Sequence, residues 1–169
     1  MESNVEKDKH VVFIVEDSDV YRSLLVHALE QAGDEEHAYQ VIDFPSGEKC
    51  LQYLHLKPDI IILDHFLNGN GYLYNMDGLG ILHRIRRFSP GTDVVVVSCQ
   101  ENIEVAKTFM GSGVKDYIRK DDAGPVRVRS AVKQLLRRRR QAQSRSRMIK
   151  YAAAAMITSA LSGLVYWLT

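Results

Sequence analysis

The chain has 169 residues, 46% of them hydrophobic and 25% charged, the composition of an ordinary globular protein with room for one domain and an appendage. Two cysteines, Cys50 and Cys99, exclude a disulfide framework; both lie in segments that read as buried, which points to a reducing cytosol. Net charge is +1, yet the first 124 residues carry 12 basic and 21 acidic side chains while the remaining 45 carry 10 basic and no acidic ones. An acidic body with a basic and then apolar tail is two physical regimes.

The first ten residues are charged and lack an apolar stretch, so no cleaved signal peptide is expected, and residues 1–9 read as a disordered N-terminus. Val11–Val15 is an apolar run that reads as a strand. Ser18 or Asp19 can cap a helix reaching about Ala32, with Val20, Leu24, Leu25, Ala28 and Leu29 on one face and Gly33 as its stop. Tyr39–Phe44 is a second strand. Pro45-Ser46-Gly47 turns the chain into a short helix ending at Leu56. Ile60–Leu63 is apolar throughout, as a strand covered on both faces should be.

From His65 to Asp77 there is no period, and Asn68-Gly69-Asn70-Gly71 is turn chemistry. Gly78–Phe88 reads as a helix with Leu79, Ile81, Leu82 and Ile85 inward. A strand over Asp93–Val97, a helix over about Glu101–Met110, a strand over Val114–Arg119 and a helix opening near Pro125 follow. Strands alternating with helices imply a parallel sheet with right-handed crossovers, a five-stranded doubly wound α/β domain.

Polar residues stand where the apolar runs stop. Glu16 and Asp17 follow the first, Asp64 closes the third, Ser98 the fourth, and Lys120 follows the fifth. In a parallel sheet these ends share one carboxyl edge, where open α/β sheets bind ligands. Three carboxylates, a hydroxyl and an ammonium gathered there suggest a divalent metal and phosphate chemistry.

This ordered set resembles the receiver domain of two-component response regulators. The resemblance covers roughly Lys9 to Gln134. It includes Met76-Asp77-Gly78 after the acid, and Gly113-Val114-Lys115-Asp116-Tyr117-Ile118-Arg119-Lys120, similar to the family's Gly-Ala-x-Asp-Tyr-x-x-Lys. It implies a flavodoxin-like fold and Mg²⁺ held by Glu16, Asp17, Asp64 and the backbone carbonyl of Phe66. It also implies that Asp64 is the nucleophile that becomes an aspartyl phosphate. Lys120 and Ser98 would contact the phosphoryl oxygens, and Ser98 and Tyr117 would act as the switch. The phosphoryl donor would be a histidine kinase or a phosphotransfer protein. Such a domain is a signalling device, not an enzyme beyond its own phosphorylation and dephosphorylation. A non-phosphorylated adaptor built on the same fold is the alternative.

The chain departs from the family at several points. Asp77 lies thirteen positions after Asp64 instead of the usual seven, an insertion of about six residues spanning 68–75 with Tyr72 and Tyr74 in it. Phe66 is apolar where many receivers carry a polar group that positions attacking water, so slow self-dephosphorylation is expected. Cys99 reads as an inert buried thiol and His65 as a lone exposed imidazole. Asp121 replaces the proline that usually follows the lysine, so no cis bond is expected there.

Beyond the receiver, assigned to 10–136, a basic segment (137–150) holds Arg137–Arg140, Arg145, Arg147 and Lys150. Residues 151–169 then carry no charge, about 28 Å of helix. Tyr151, Tyr166 and Trp167 suit membrane interfaces, and Ala155, Ser159 and Gly163 recur every four residues. The expectation is a C-terminal membrane anchor on the cytoplasmic face of the inner membrane, with a soluble cytoplasmic chain as the alternative. Pairing of two copies through the tail is a further expectation, and no specific nucleic-acid contact is expected, for want of a helix-turn-helix unit.

Overall fold

In a computed structural model, residues 9–31, 38–67, 78–100 and 102–168 are described. The elements in chain order are β1 (Lys9–Val15), α1 (Asp19–Glu30), β2 (Ala38–Phe44), α2 (Gly47–Gln52), a 3₁₀ turn (Leu54–Leu56), β3 (Ile60–Asp64), α3 (Gly78–Phe88), β4 (Asp93–Ser98), α4 (Ile103–Gly111), β5 (Asp116–Arg119) and α5 (Gly124–Leu168). The five strands form one parallel sheet in the order β2-β1-β3-β4-β5. This is the flavodoxin-like order, with its topological switch between β1 and β3. The chain divides into two compact units, one to Val132 and one from Lys133 onward.

Strand alternation builds the core. Phe13, Val15, Ile61, Leu63, Val94 and Val96 pack with Ile81, Leu82, Ile85 and Phe109 of α3 and α4. The alternate residues Val12, Ile14, Ile60, Ile62, Val95 and Val97 are equally buried, as are Leu25 and Leu29 of α1 and Val128 and Val132 of α5. Each fully buried aliphatic side chain stabilises the fold by about 1.5–3 kcal/mol. Both sheet faces are therefore covered, which is why the central strands lack polar alternation.

The local chemistry adjusts several sequence expectations. Ser18, not Asp19, caps α1, its hydroxyl accepting from the Tyr21 N–H at 3.4 Å. Val20 and Leu24, expected inward, are 75% and 49% exposed; the buried stripe of α1 is narrow and centres on Leu25 and Leu29. The helix after Pro45 stops at Gln52. A 3₁₀ turn replaces its second half, and Lys57 reverses the chain in the left-handed region (φ 52°) ahead of Pro58. α4 starts at Ile103 because the Asn102 side chain accepts from the N–H groups of Glu104 and Val105 at 2.8 and 3.4 Å. β5 begins at Asp116, after Gly113 has turned the chain with φ +82°. Cys50 is buried as expected, but Cys99 is exposed, because the chain leaves the sheet at Ser98.

Gly33, the insertion at 68–75 and Met76-Asp77 lie outside the described residues, as does the N-terminus before Lys9. α5 is helical to Leu168, but the side chains of 154–169, most of the expected anchor, also lie outside them. Among the described residues no helix is long and apolar enough to cross a membrane.

Candidate functional site

The register carries the polar strand ends to one place. Val15 is paired with Leu63, so Glu16 and Asp64 each stand one residue beyond that pair, on either side of the switch point. Asp64 is paired with Val97, and Ser98 with Arg119, which places Ser98 and Lys120 at the same carboxyl edge. Carboxylate oxygens of Glu16, Asp17 and Asp64 lie within 4.8 Å of one another.

Lys120 sits among them. Its Nζ is 2.7 Å from Glu16 Oε2 and 2.8 Å from Asp64 Oδ2. Its ammonium also lies 5.1 Å from the centroid of the Tyr21 ring, an orientation that attracts a cation to the ring face. Glu16 Oε1 accepts the Ser18 N–H at 3.2 Å, and Asp64 Oδ1 accepts the Phe66 N–H at 3.1 Å. Arg22 reaches back from α1 to the Glu16 carbonyl at 2.8 Å while pairing with Asp43 at 2.9 Å and with Asp19.

Burial dominates the electrostatics. It pushes the Glu16 carboxyl up to about 7, helped by repulsion from Asp64 and only partly offset by Lys120 and the Ser18 N–H. Burial likewise raises Asp64, against the pull of Lys120 and the Phe66 N–H. For Lys120 burial works downward, but the contacts and charges of Asp64 and Glu16 outweigh it and the net direction is up. Crowded acids neutralised by one lysine form a site that gains from a second cation.

The donor set fits Mg²⁺. All three side chains offer hard oxygens, and octahedral ligands at about 2.1 Å would be about 3 Å apart when adjacent and about 4.2 Å when opposite. A 4.8 Å spread approaches that, and Mg²⁺ usually keeps several waters. The Phe66 N–H contacts Asp64, which holds that backbone at the site.

α3 docks directly on the acid. The Gly78 N–H donates to the His65 carbonyl at 3.1 Å, and a Cβ at Gly78 would lie 2.7 Å from the Asp64 carbonyl and 2.9 Å from His65 Cα. Only glycine allows that approach.

A model of the response regulator receiver domain matches residues 12–133. The chain belongs to this family. Among curated relatives, the receiver is 31% identical over 111 residues to the nitrogen assimilation regulatory protein NtrX of Azorhizobium caulinodans, covering 66% of this chain and 23% of that protein. It is 29% identical over 109 residues to a cyclic di-GMP phosphodiesterase of Thermotoga maritima, covering 64% of this chain and 26% of that protein. The match thus spans about a quarter of those relatives' length. The response regulator DrrB of Thermotoga maritima shares the fold with a TM-score of 0.64 at 22% identity, over 78% of this chain and 54% of that one.

Glu16, Asp17, Asp64 and Lys120 are brought together as the sequence suggested. Ser98 is fully buried at the same edge. The Tyr117 hydroxyl is buried, with no hydrogen-bond partner among the described residues, and its ring lies 5.9 Å from Phe109. Phe66 is 42% exposed beside the site.

His65 corrects its expectation. It is half-buried, not a lone exposed side chain, because its ring is packed against Phe66 and Phe109 and its Nδ1 meets Ser98 Oγ at 3.3 Å. Tyr21 and Arg22 were missed as well. Their signal in sequence, a helix position one turn after the acids, is shared by residues that merely face solvent.

Proposed function

We propose that this receiver accepts a phosphoryl group on Asp64 from a histidine kinase or phosphotransfer protein and signals by rearranging the edge around Ser98 and Tyr117. The observation that supports this most is the buried cluster of Asp64, Glu16, Asp17 and Lys120 at the topological switch point. An Asp64 carboxylate oxygen attacks the phosphorus, a P–O bond forms, and the P–N bond to the donor imidazole breaks with the electron pair leaving on nitrogen. Lys120 transfers its contact from Asp64 to a phosphoryl oxygen. Ser98 donates its hydroxyl to another. Mg²⁺ held by Glu16, Asp17, Asp64 and the Phe66 carbonyl would offset charge on the oxygens.

Incubation of the full chain with acetyl phosphate and Mg²⁺ should add the mass of one phosphoryl group, and Asp64→Asn should abolish the gain. A chain that gains no mass supports instead the non-phosphorylated adaptor, and a gain that persists in Asp64→Asn refutes Asp64 as the acceptor.

The C-terminal segment tethers the receiver to a membrane. α5 stays helical to Leu168, and the 18 residues from Tyr151 carry no charge, about 27 Å of helix. Arg137–Arg140, Arg145, Arg147 and Lys150 precede them, the pattern of a segment left on the cytoplasmic side. Alkaline carbonate extraction of cell membranes tests this. Retention in the pellet supports an anchor at the cytoplasmic face, and complete release to the supernatant refutes it.

A further inference from the structure

His65 engages the Ser98 hydroxyl from β3's side of the site. Its Nδ1 lies 3.3 Å from Ser98 Oγ, while the Gln100 N–H donates to the same oxygen at 3.0 Å. The imidazole is fixed in that position. Its ring lies 4.2 Å from Phe66 and 5.0 Å, edge-on, from the buried Phe109. Its backbone is fixed as well, the His65 N–H donating to Val97 at 2.9 Å and its carbonyl accepting from Gly78 at 3.1 Å.

A serine hydroxyl has one proton. The Gln100 N–H occupies one acceptor direction of Oγ, and in the tautomer that carries its proton on Nε2 the His65 Nδ1 accepts the hydroxyl proton. The same proton is what Ser98 must offer to a phosphoryl oxygen on Asp64.

We propose that His65 is a positioning residue that holds the Ser98 hydroxyl in its resting direction, so that phosphorylation of Asp64 must first draw Ser98 away from it. This rests on the reading of Asp64 as the phosphoacceptor. The resting contact stabilises the unphosphorylated form and sets how much of the phosphoryl affinity is lost to rearrangement. The same ring is in contact with Phe109, whose ring centroid in turn lies 5.9 Å from that of Tyr117, which connects the Ser98 contact to β5.

The probe is beryllofluoride with Mg²⁺, a phosphoryl mimic, titrated into the full chain and followed by the ¹⁹F signal of the bound species. His65→Leu keeps the bulk and removes the contact; a net hydrogen bond corresponds to about threefold to tenfold tighter binding once it no longer competes. His65→Asn places its amide oxygen near the former Nδ1 and is expected within about twofold of the natural chain. In a Ser98→Ala background, His65→Leu should change nothing, because the effect runs through the hydroxyl.

Binding by the natural chain that is unchanged or weakened in His65→Leu overturns the inference and leaves the phosphoacceptor reading standing. So does a gain of the same size with and without Ser98. Absence of Asp64-dependent binding in the natural chain overturns both.

Discussion

Replacing Lys120 with methionine isolates the electrostatics of the site. The lysine side chain is 10% exposed and neutralises Glu16 and Asp64, which are 0% and 2% exposed, from 2.7 and 2.8 Å. Methionine preserves much of the bulk but leaves both acids without their cation. Removing one partner of a buried ion pair costs about 3–5 kcal/mol, and that is the expected loss at pH 8. The pH dependence carries the sharper test. In the folded chain Glu16 titrates near 7 against an unperturbed 4.5. Between those values the folded chain keeps a proton that the unfolded chain has released, so this contribution to stability is intact below about 4.5 and lost as pH rises through about 7. Without Lys120 the folded values of Glu16 and Asp64 rise further, and the window extends upward. Each extra proton retained steepens the decline by up to about 1.4 kcal/mol per pH unit. Urea unfolding of the full chain without Mg²⁺, followed by circular dichroism at pH 5.5 and pH 8, should show a larger penalty at pH 8. A loss below about 1 kcal/mol, or one equal at both pH values, would refute the reasoning.

Other outcomes follow from the same geometry. Mg²⁺ should stabilise the chain by about 2.7 kcal/mol at a hundred times its dissociation constant. The gain should be reversed by EDTA and shrink in Asp17→Asn, as read from shifts in the urea midpoint. Gly78→Ala pushes a methyl group into the backbone of Asp64 and His65 and should cost about 1–3 kcal/mol, measured the same way. Phe66→Asn should shorten the phosphoryl lifetime, followed by the decay of the phosphorylated mass, because an amide beside Asp64 can orient water and a phenyl ring cannot. An unchanged lifetime would show that the ring is not what slows hydrolysis.

The strands were legible because a sheet covered on both faces writes itself as apolar runs. The site was legible because those runs all stop at one edge. Glu16, Asp17, Asp64, Ser98 and Lys120 needed only the parallel topology to be brought together. What sequence could not supply was the width of cover and the reach of side chains. Val20 and Leu24 share a helical period with Leu25 and Leu29, but periodicity says which residues are neighbours, not how far the packing extends. Cys99 comes directly after β4 and still faces solvent, since the strand ends before it. The His65–Ser98 contact joins residues 33 positions apart, and the placement of Tyr21 beneath Lys120 spans nearly a hundred. Neither leaves a local pattern.

The bond from the Gly78 amide to the His65 carbonyl closes the base of the segment that carries the insertion. A chain clamped at its base can change length almost without thermodynamic consequence, since each doubling of a closed loop costs only about 0.6 kcal/mol of chain entropy. The position of Asp64 is thereby insulated from the length of the segment that follows it. Insertions here can lengthen that segment while the acid itself stays in place.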